Sequence, residues 1–442
     1  MTLTEATFWT KRMSVILGVI TLLFVIVVLI FSDNGQDLPT EYLTANYACT
    51  ETAEEFLKNR LEIPSLEVNS DSENVFEIQT DTGKIDSLSN LEVINVHKYR
   101  EETQQLDSQI KAKKIASTLG FDPEAVHRKG TTDYIWTNTA NYRSLTVDAK
   151  NLNFIMTTSS NYIRDVSKES PVPTENEAIA LAKNAIRRLQ TLGSNYNYNE
   201  PGNITTHLVD INPDGTYSEA PSLADAELIK VDFHKTKPMI SIKEGIENSA
   251  AVINTLNNNI GPANEEEIIL NDRKVKIFNY STIVTYQNPS SSNISVYIGP
   301  EDKNSESLEN IYRIDFTYWQ LDQESCGTYE LVSPTYALEK IQSGEGSLVY
   351  LNEKNGDEIE EYQPKSVNKY VIYNIDIAYY EPRTQPTFLQ PIYIVTGESV
   401  FKDDTRGEFH FFYPAINYDI VKDKVELPDT PTDDDSSNPF GL

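Results

Sequence analysis

Residues Met13 to Phe31, MSVILGVITLLFVIVVLIF, form an apolar run without a single charge. At ~1.5 Å per residue, a helix of this length roughly matches the hydrocarbon thickness of a bilayer. A helix packed in a soluble core would normally carry a polar face, and this run has none. Lys11 and Arg12 precede it, and Asp33 and Asp37 follow it. The positive-inside rule then keeps residues 1–12 in the cytoplasm and carries everything after Ser32 across. A cleaved signal peptide is the competing reading, but its apolar core is usually about 7–15 residues long and ends at a small-x-small site. Phe31-Ser32-Asp33-Asn34 is a poor site of that kind. The expectation is an uncleaved single-pass anchor in the cell membrane, with the bulk of the chain extracytoplasmic.

With 442 residues, the chain has room beyond that run for two or three domains. Its 25 tyrosines and abundant Val, Ile and Thr favour strands. The 67 acidic residues against 37 basic ones leave a net charge of −30, which repels phosphate backbones and excludes nucleic acid as a partner. A cationic partner is one reading of that charge, and plain solubility is the other. The only cysteines are Cys49 and Cys326. Beyond an anchor a disulfide between them would persist, yet their separation in sequence leaves pairing open.

Three stretches share one punctuation. Ser108 opens IKAKKIASTLG, which closes at Gly120; Thr174 opens AIALAKNAIRRLQTLG, which closes at Gly193; Ser333 opens ALEKIQSG, which closes at Gly344. In each, a hydroxyl residue stands four before an alanine, apolar residues recur at helical spacing, and a glycine ends the run. Ser and Thr cap free amides, Thr174 with Glu177 makes a capping box, Pro334 suits the first helical turn, and glycine closes in the left-handed region. Strand-like segments follow each helix. The reading is an α+β fold of two or three helix-plus-antiparallel-sheet modules at 51–166, 174–325 and 333–424. A spacer at 32–50 precedes them, and an acidic tail at 428–442, PDTPTDDDSSNPFGL, has the composition of a disordered segment.

SPTYALEKIQSGEGSLVYL from Ser333, the strand from Ile375 to Tyr380 and FLQPIYIV from Phe388 together resemble PepSY-type modules. They are also similar to the ectodomains of YycH/YycI-type proteins. The resemblance is clearest over 333–413 and fainter over 108–157 and 174–233. It implies a regulatory or binding role without catalysis, and a partner among envelope proteins such as a sensor kinase. These families supply no catalytic residues to carry over.

The chain offers no nucleophile elbow of the GxSxG type. Its five histidines (His97, His127, His207, His234 and His410) never pair at metal-ligand spacing. Cys326 with His410 as base is a thin nucleophile candidate, since no cation adjoins the thiol. The strongest motif is DINPDG from Asp210. Asp210, Asn212 and Asp214 hold positions 1, 3 and 5 of a calcium loop, but its twelfth position is Pro221 instead of glutamate. A hairpin turn is the competing reading, and calcium the sole cofactor candidate. Together these readings point to a non-catalytic regulatory or binding protein. A surface hydrolase acting on envelope polymer, or a structural ligand-holding ectodomain, are the alternatives.

Overall fold

The computed structural model describes residues 45–423, except 69–74, 80–90, 102–105, 130–131, 169, 190–202, 246–248, 260, 271–272, 290, 302–309, 323 and 354–363. With 44% of residues in strands and 20% in helices, the molecule is mainly β, and this corrects the α+β expectation. Among the described residues, strands β1 to β19 and helices α1 to α7, numbered in chain order, are built around two large sheets.

The nine-stranded sheet runs in the order β3 (His127–Lys129), β4 (Asp133–Asn138), β5 (Arg143–Asp148), β6 (Phe154–Thr158), β14 (Ile311–Phe316), β13 (Ile294–Ile298), β9 (Leu228–Phe233), β7 (Ile204–Ile211), β8 (Tyr217–Glu219). Strands β9 and β13 are buried at every residue, as central strands covered on both faces must be. One face carries α2 (Ser108–Thr118) and α4 (Glu175–Leu189). Ala112, Ala116, Ala178, Ala182 and Ala185 bring those helices close to the sheet. On the other face, Ile163 of α3 (Ser160–Ser167) packs with Val209, Leu228, Tyr297 and Tyr312. The period-two alternation of strand side chains makes this division.

The ten-stranded sheet runs in the order β10 (Thr236–Lys243), β12 (Arg273–Thr285), β17 (Val367–Tyr380), β18 (Phe388–Phe401), β19 (Arg406–Pro414), β16 (Ser347–Glu353). Beside this path, β1 (Val75–Ile78) pairs with β17 and β11 (Asn264–Leu270) with β12, while β2 (Val93–Lys98) bridges β18 and β15 (Gly327–Glu330). The long β17–β18 hairpin bulges between Ile372 and Asn374. There Gly397 lies so close to the Val371 carbonyl that no side chain would fit. Helix α6 (Pro334–Gln342) lays Ala337, Leu338 and Ile341 into this sheet's core.

Local punctuation and long-range pairing follow different rules here. Ser333 accepts from the Tyr336 amide at 3.1 Å, and Gly344 closes α6 at φ 85°. Thr174 and Glu177 exchange the two bonds of a capping box. The sheets, however, do not form one to a helix. Strand β6 pairs with β14, fusing strands from the two expected N-terminal modules into one sheet. Strands β10, β11 and β12 lie within 174–325, yet they belong to the sheet of the C-terminal segment. An unpaired edge leaves amide and carbonyl groups unsatisfied, so strands extend a neighbour's sheet instead of closing small ones.

The membrane placement is also corrected. Among the described residues no helix is long and apolar enough to cross a membrane. The longest, Glu175–Leu189, has 15 residues and carries Arg187 and Arg188 in its last turn, against ~20 apolar residues for a span. Met13–Phe31 lies outside the described residues, as does the acidic tail 428–442. The single-pass, extracytoplasmic localisation rested on that run and is not carried forward.

Candidate binding cleft

The residues singled out for chemistry are scattered and already engaged. Cys49 and Cys326 form a disulfide with Cα atoms 4.6 Å apart, so Cys326 has no thiol to pair with His410. His97 is buried and His410 half-buried, and desolvation lowers each to a pKa of about 4. His97 contacts the Pro238 carbonyl at 3.2 Å, while His410 packs edge-on to Tyr350. Among the described residues, no three His, Cys, Asp or Glu side chains gather as a metal site.

DINPDG forms the turn between β7 and β8. The Gly215 amide donates to the Asn212 carbonyl at 2.8 Å, and Gly215 takes φ 90°. Asp214 Oδ1 accepts from the Thr216 amide and hydroxyl, while Asn212 Nδ2 donates to the Thr216 hydroxyl at 3.0 Å. Asp210 Oδ1 accepts from the Ile211 amide at 2.8 Å. Those side chains are turned toward the hairpin's own backbone and hydroxyls.

Where the chain leaves β9 for β10, it passes from one sheet to the other. Lys235 and Glu381 meet there, both buried, at 2.7 Å. Tyr99 donates to Glu381 at 2.6 Å, Asn293 donates to it at 2.9 Å, and the Tyr318 ring lies 4.7 Å from the ammonium. Burial lowers Lys235 and raises Tyr99 well above the usual phenol range. The cluster is closed and fully engaged, and it fastens the two sheets together. Nearby, Lys230 pairs with the wholly buried Asp232 at 2.8 Å and donates to Ser291 at 3.0 Å. With its ammonium directed at a carboxylate, Lys230 forms a structural ion pair and not a serine–lysine dyad.

A cleft of about 200 Å³ opens elsewhere, between α6, the end of β19, α7 (Tyr418–Asp423) and the residue Arg60 that follows α1 (Ala53–Leu57). Tyr336, Lys340 and Glu345 form one wall, and Tyr413, Tyr418 and Asp419 the other. Lys340 reaches Glu345 at 2.8 Å and sits 5.6 Å from the Tyr336 ring. That bond raises the Lys340 pKa and lowers that of Glu345. Tyr418 is held firmly. It accepts from the Leu61 amide at 3.1 Å and donates to Gln390 at 2.7 Å, while Gln390 donates to the Asn59 carbonyl at 2.7 Å. Burial pushes its phenol above the usual range. The exposed Arg60 guanidinium lies 4.8 Å over the Tyr418 ring; among the described residues it is bonded directly to no carboxylate, and its charge helps to lower the Glu345 pKa from longer range.

Sequence reasoning missed this cleft. Its one local trace is Tyr336 and Lys340 at i and i+4 on a well-capped helix; Arg60 arrives from the far end of the chain. The walls bring together two cations, three phenols and two acids. That set can hold a ligand through charge, hydrogen bonds and ring surface.

No family model matches this chain, and no curated protein matches it. A crystal structure of an uncharacterized protein from Eubacterium rectale ATCC 33656 is similar over 74% of this chain and 84% of that one, with 11% identity and a TM-score of 0.34.

Proposed function

We propose that the protein is a non-catalytic binding protein whose cleft takes a ligand bearing a carboxylate beside an apolar or planar group. The observation that carries this reading is Arg60. Its guanidinium is oriented by stacking on a fixed ring and, among the described residues, is bonded to no carboxylate, its charge reaching Glu345 only at longer range, whereas Lys340 opposite is bonded directly to Glu345. A guanidinium so placed presents a planar fork of donors matched to a carboxylate, and Tyr336 and Tyr413 offer ring surface to the rest of the ligand. The net charge of −30 opposes an anion at long range, but salt screens charges beyond ~8–10 Å and leaves the contact with Arg60 decisive. A peptide C-terminus and a small organic acid share this chemistry. The first makes the ligand a protein partner, as a regulatory role requires.

Calorimetry with N-acetyl-alanyl-tyrosine, its C-terminal amide and benzoate tests the proposal. The free-acid peptide is expected to bind at least tenfold more tightly than the amide, and Arg60→Met to abolish that difference. Benzoate binding as well as the peptide identifies a small organic acid as the ligand class; benzoate failing while the peptide binds identifies a peptide terminus. Equal binding of acid and amide, or indifference to Arg60→Met, overturns the reading.

A further inference from the structure

We propose that the Cys49–Cys326 disulfide is a redox latch that holds the Arg60 wall of the cleft in place. This rests on the cleft's role as a binding site. The chain from Asn46 to Leu61 crosses the body as a strap. At its start, the Asn46 and Tyr47 amides donate to the Thr328 carbonyl at 3.2 and 3.1 Å, and the Thr328 amide donates to Asn46 Oδ1 at 2.9 Å. Gly327 permits this approach: a Cβ there would stand 2.7 Å from the Ala48 nitrogen. The disulfide then joins Cys49 to the residue just before β15.

From that bond to the cleft the contacts are continuous. Thr52 caps α1, whose Phe56 is fully buried and stacks on Tyr329 of β15 at 4.2 Å, with Tyr418 at 6.4 Å. Four residues after Phe56 stands Arg60 over Tyr418, and the next amide, Leu61, donates to the Tyr418 hydroxyl. One small core therefore holds the disulfide, Phe56, Tyr329 and Tyr418 together. Cys49 is buried and Cys326 half-buried, so a reductant reaches the bond from the Cys326 side.

A dithiol reductant supplies the chemistry. One of its thiolates attacks a sulfur of the Cys49–Cys326 bond to give a mixed disulfide. Its second thiol then displaces that sulfur, leaving two cysteine thiols and the oxidised reductant; two electrons and two protons reach the protein. Without the crosslink, the start of the strap is held by the Asn46–Thr328 bonds and by Tyr47, which packs edge-on to Tyr329 and interacts with Glu330, so local opening at the strap becomes more frequent.

Hydrogen exchange on the full chain, oxidised and after dithiothreitol, reads the latch without any ligand. Reduction confirmed by thiol titration is expected to speed exchange of the Leu61 amide at least tenfold, while the β17–β18 hairpin keeps its protection. In parallel, the affinity of N-acetyl-alanyl-tyrosine is expected to fall at least fivefold, and Cys49→Ser/Cys326→Ser to reproduce both effects. Unchanged Leu61 exchange overturns the latch, and so does loss of protection throughout β17–β18, which marks a global staple. Faster exchange with undiminished peptide affinity overturns its control of the cleft. If the peptide does not bind the oxidised protein, the carboxylate reading fails, and Leu61 exchange still decides whether the strap is latched.

Discussion

Of the places where a cation meets a tyrosine ring in this molecule, the two at Lys235 and at Arg60 stand in opposite surroundings. At the junction between the sheets, Lys235 lies 4.7 Å from the Tyr318 ring, buried, with Glu381 as its counter-charge and Tyr99 and Asn293 completing the carboxylate's bonds. At the cleft, Arg60 lies 4.8 Å over Tyr418, exposed and, among the described residues, bonded directly to no carboxylate. A buried charge must have its partners inside the fold, because desolvation leaves nothing else to stabilise it. An exposed one retains its hydrogen-bonding capacity for a visitor. The first arrangement fixes how two sheets meet; the second leaves a recognition group poised.

The largest effect should come from breaking the junction. Glu381→Ala strands the Lys235 ammonium in the interior and is expected to destabilise the fold by about 3–5 kcal/mol in urea unfolding, with peptide affinity of the folded fraction unchanged. Next comes pH. His97 titrates at about 4 in the folded protein, against an unfolded value of 6.5. The unfolded chain therefore takes up the proton first on acidification. This contribution to stability is complete above about pH 6.5, declines as pH falls and is exhausted near pH 4; the shift corresponds to about 3 kcal/mol. His97→Gln should flatten the acid limb of a stability–pH profile by that amount, and His410, shifted the same way, supplies a second step of the same sign. The smallest effect on stability belongs to Arg60→Ala, which should leave the urea midpoint in place while weakening carboxylate binding tenfold. A large loss of stability in that variant would erase the distinction between the two sites.

What could be read in advance was what is local. The Ser333–Gly344 helix with its cap and closing glycine, and the Thr174–Glu177 capping box, need only neighbouring residues, and both are present. DINPDG likewise supplies a complete turn within itself. Pairing of β6 with β14, or of β12 with β17, depends on segments more than ninety residues apart whose alternation would suit many partners. Glu381 is one acid among 67, and only burial distinguishes it. The cleft was illegible for the same reason: Arg60, Lys340 and Tyr418 acquire a relation only once the strap lies across the C-terminal helices.

The position of the disulfide also dictates how the molecule carries force. Cys49 and Cys326 are 277 residues apart in sequence, and the whole nine-stranded sheet, from His127 to Phe316, falls between them. Tension applied through residues outside that interval crosses the sulfur–sulfur bond and bypasses the enclosed sheet, which bears no load while the bond is oxidised. A single cut inside the loop separates nothing, because both pieces remain joined. Reduction puts the enclosed sheet in series with the rest of the chain, so the same bond that seats the strap also decides which half of the protein yields first under strain.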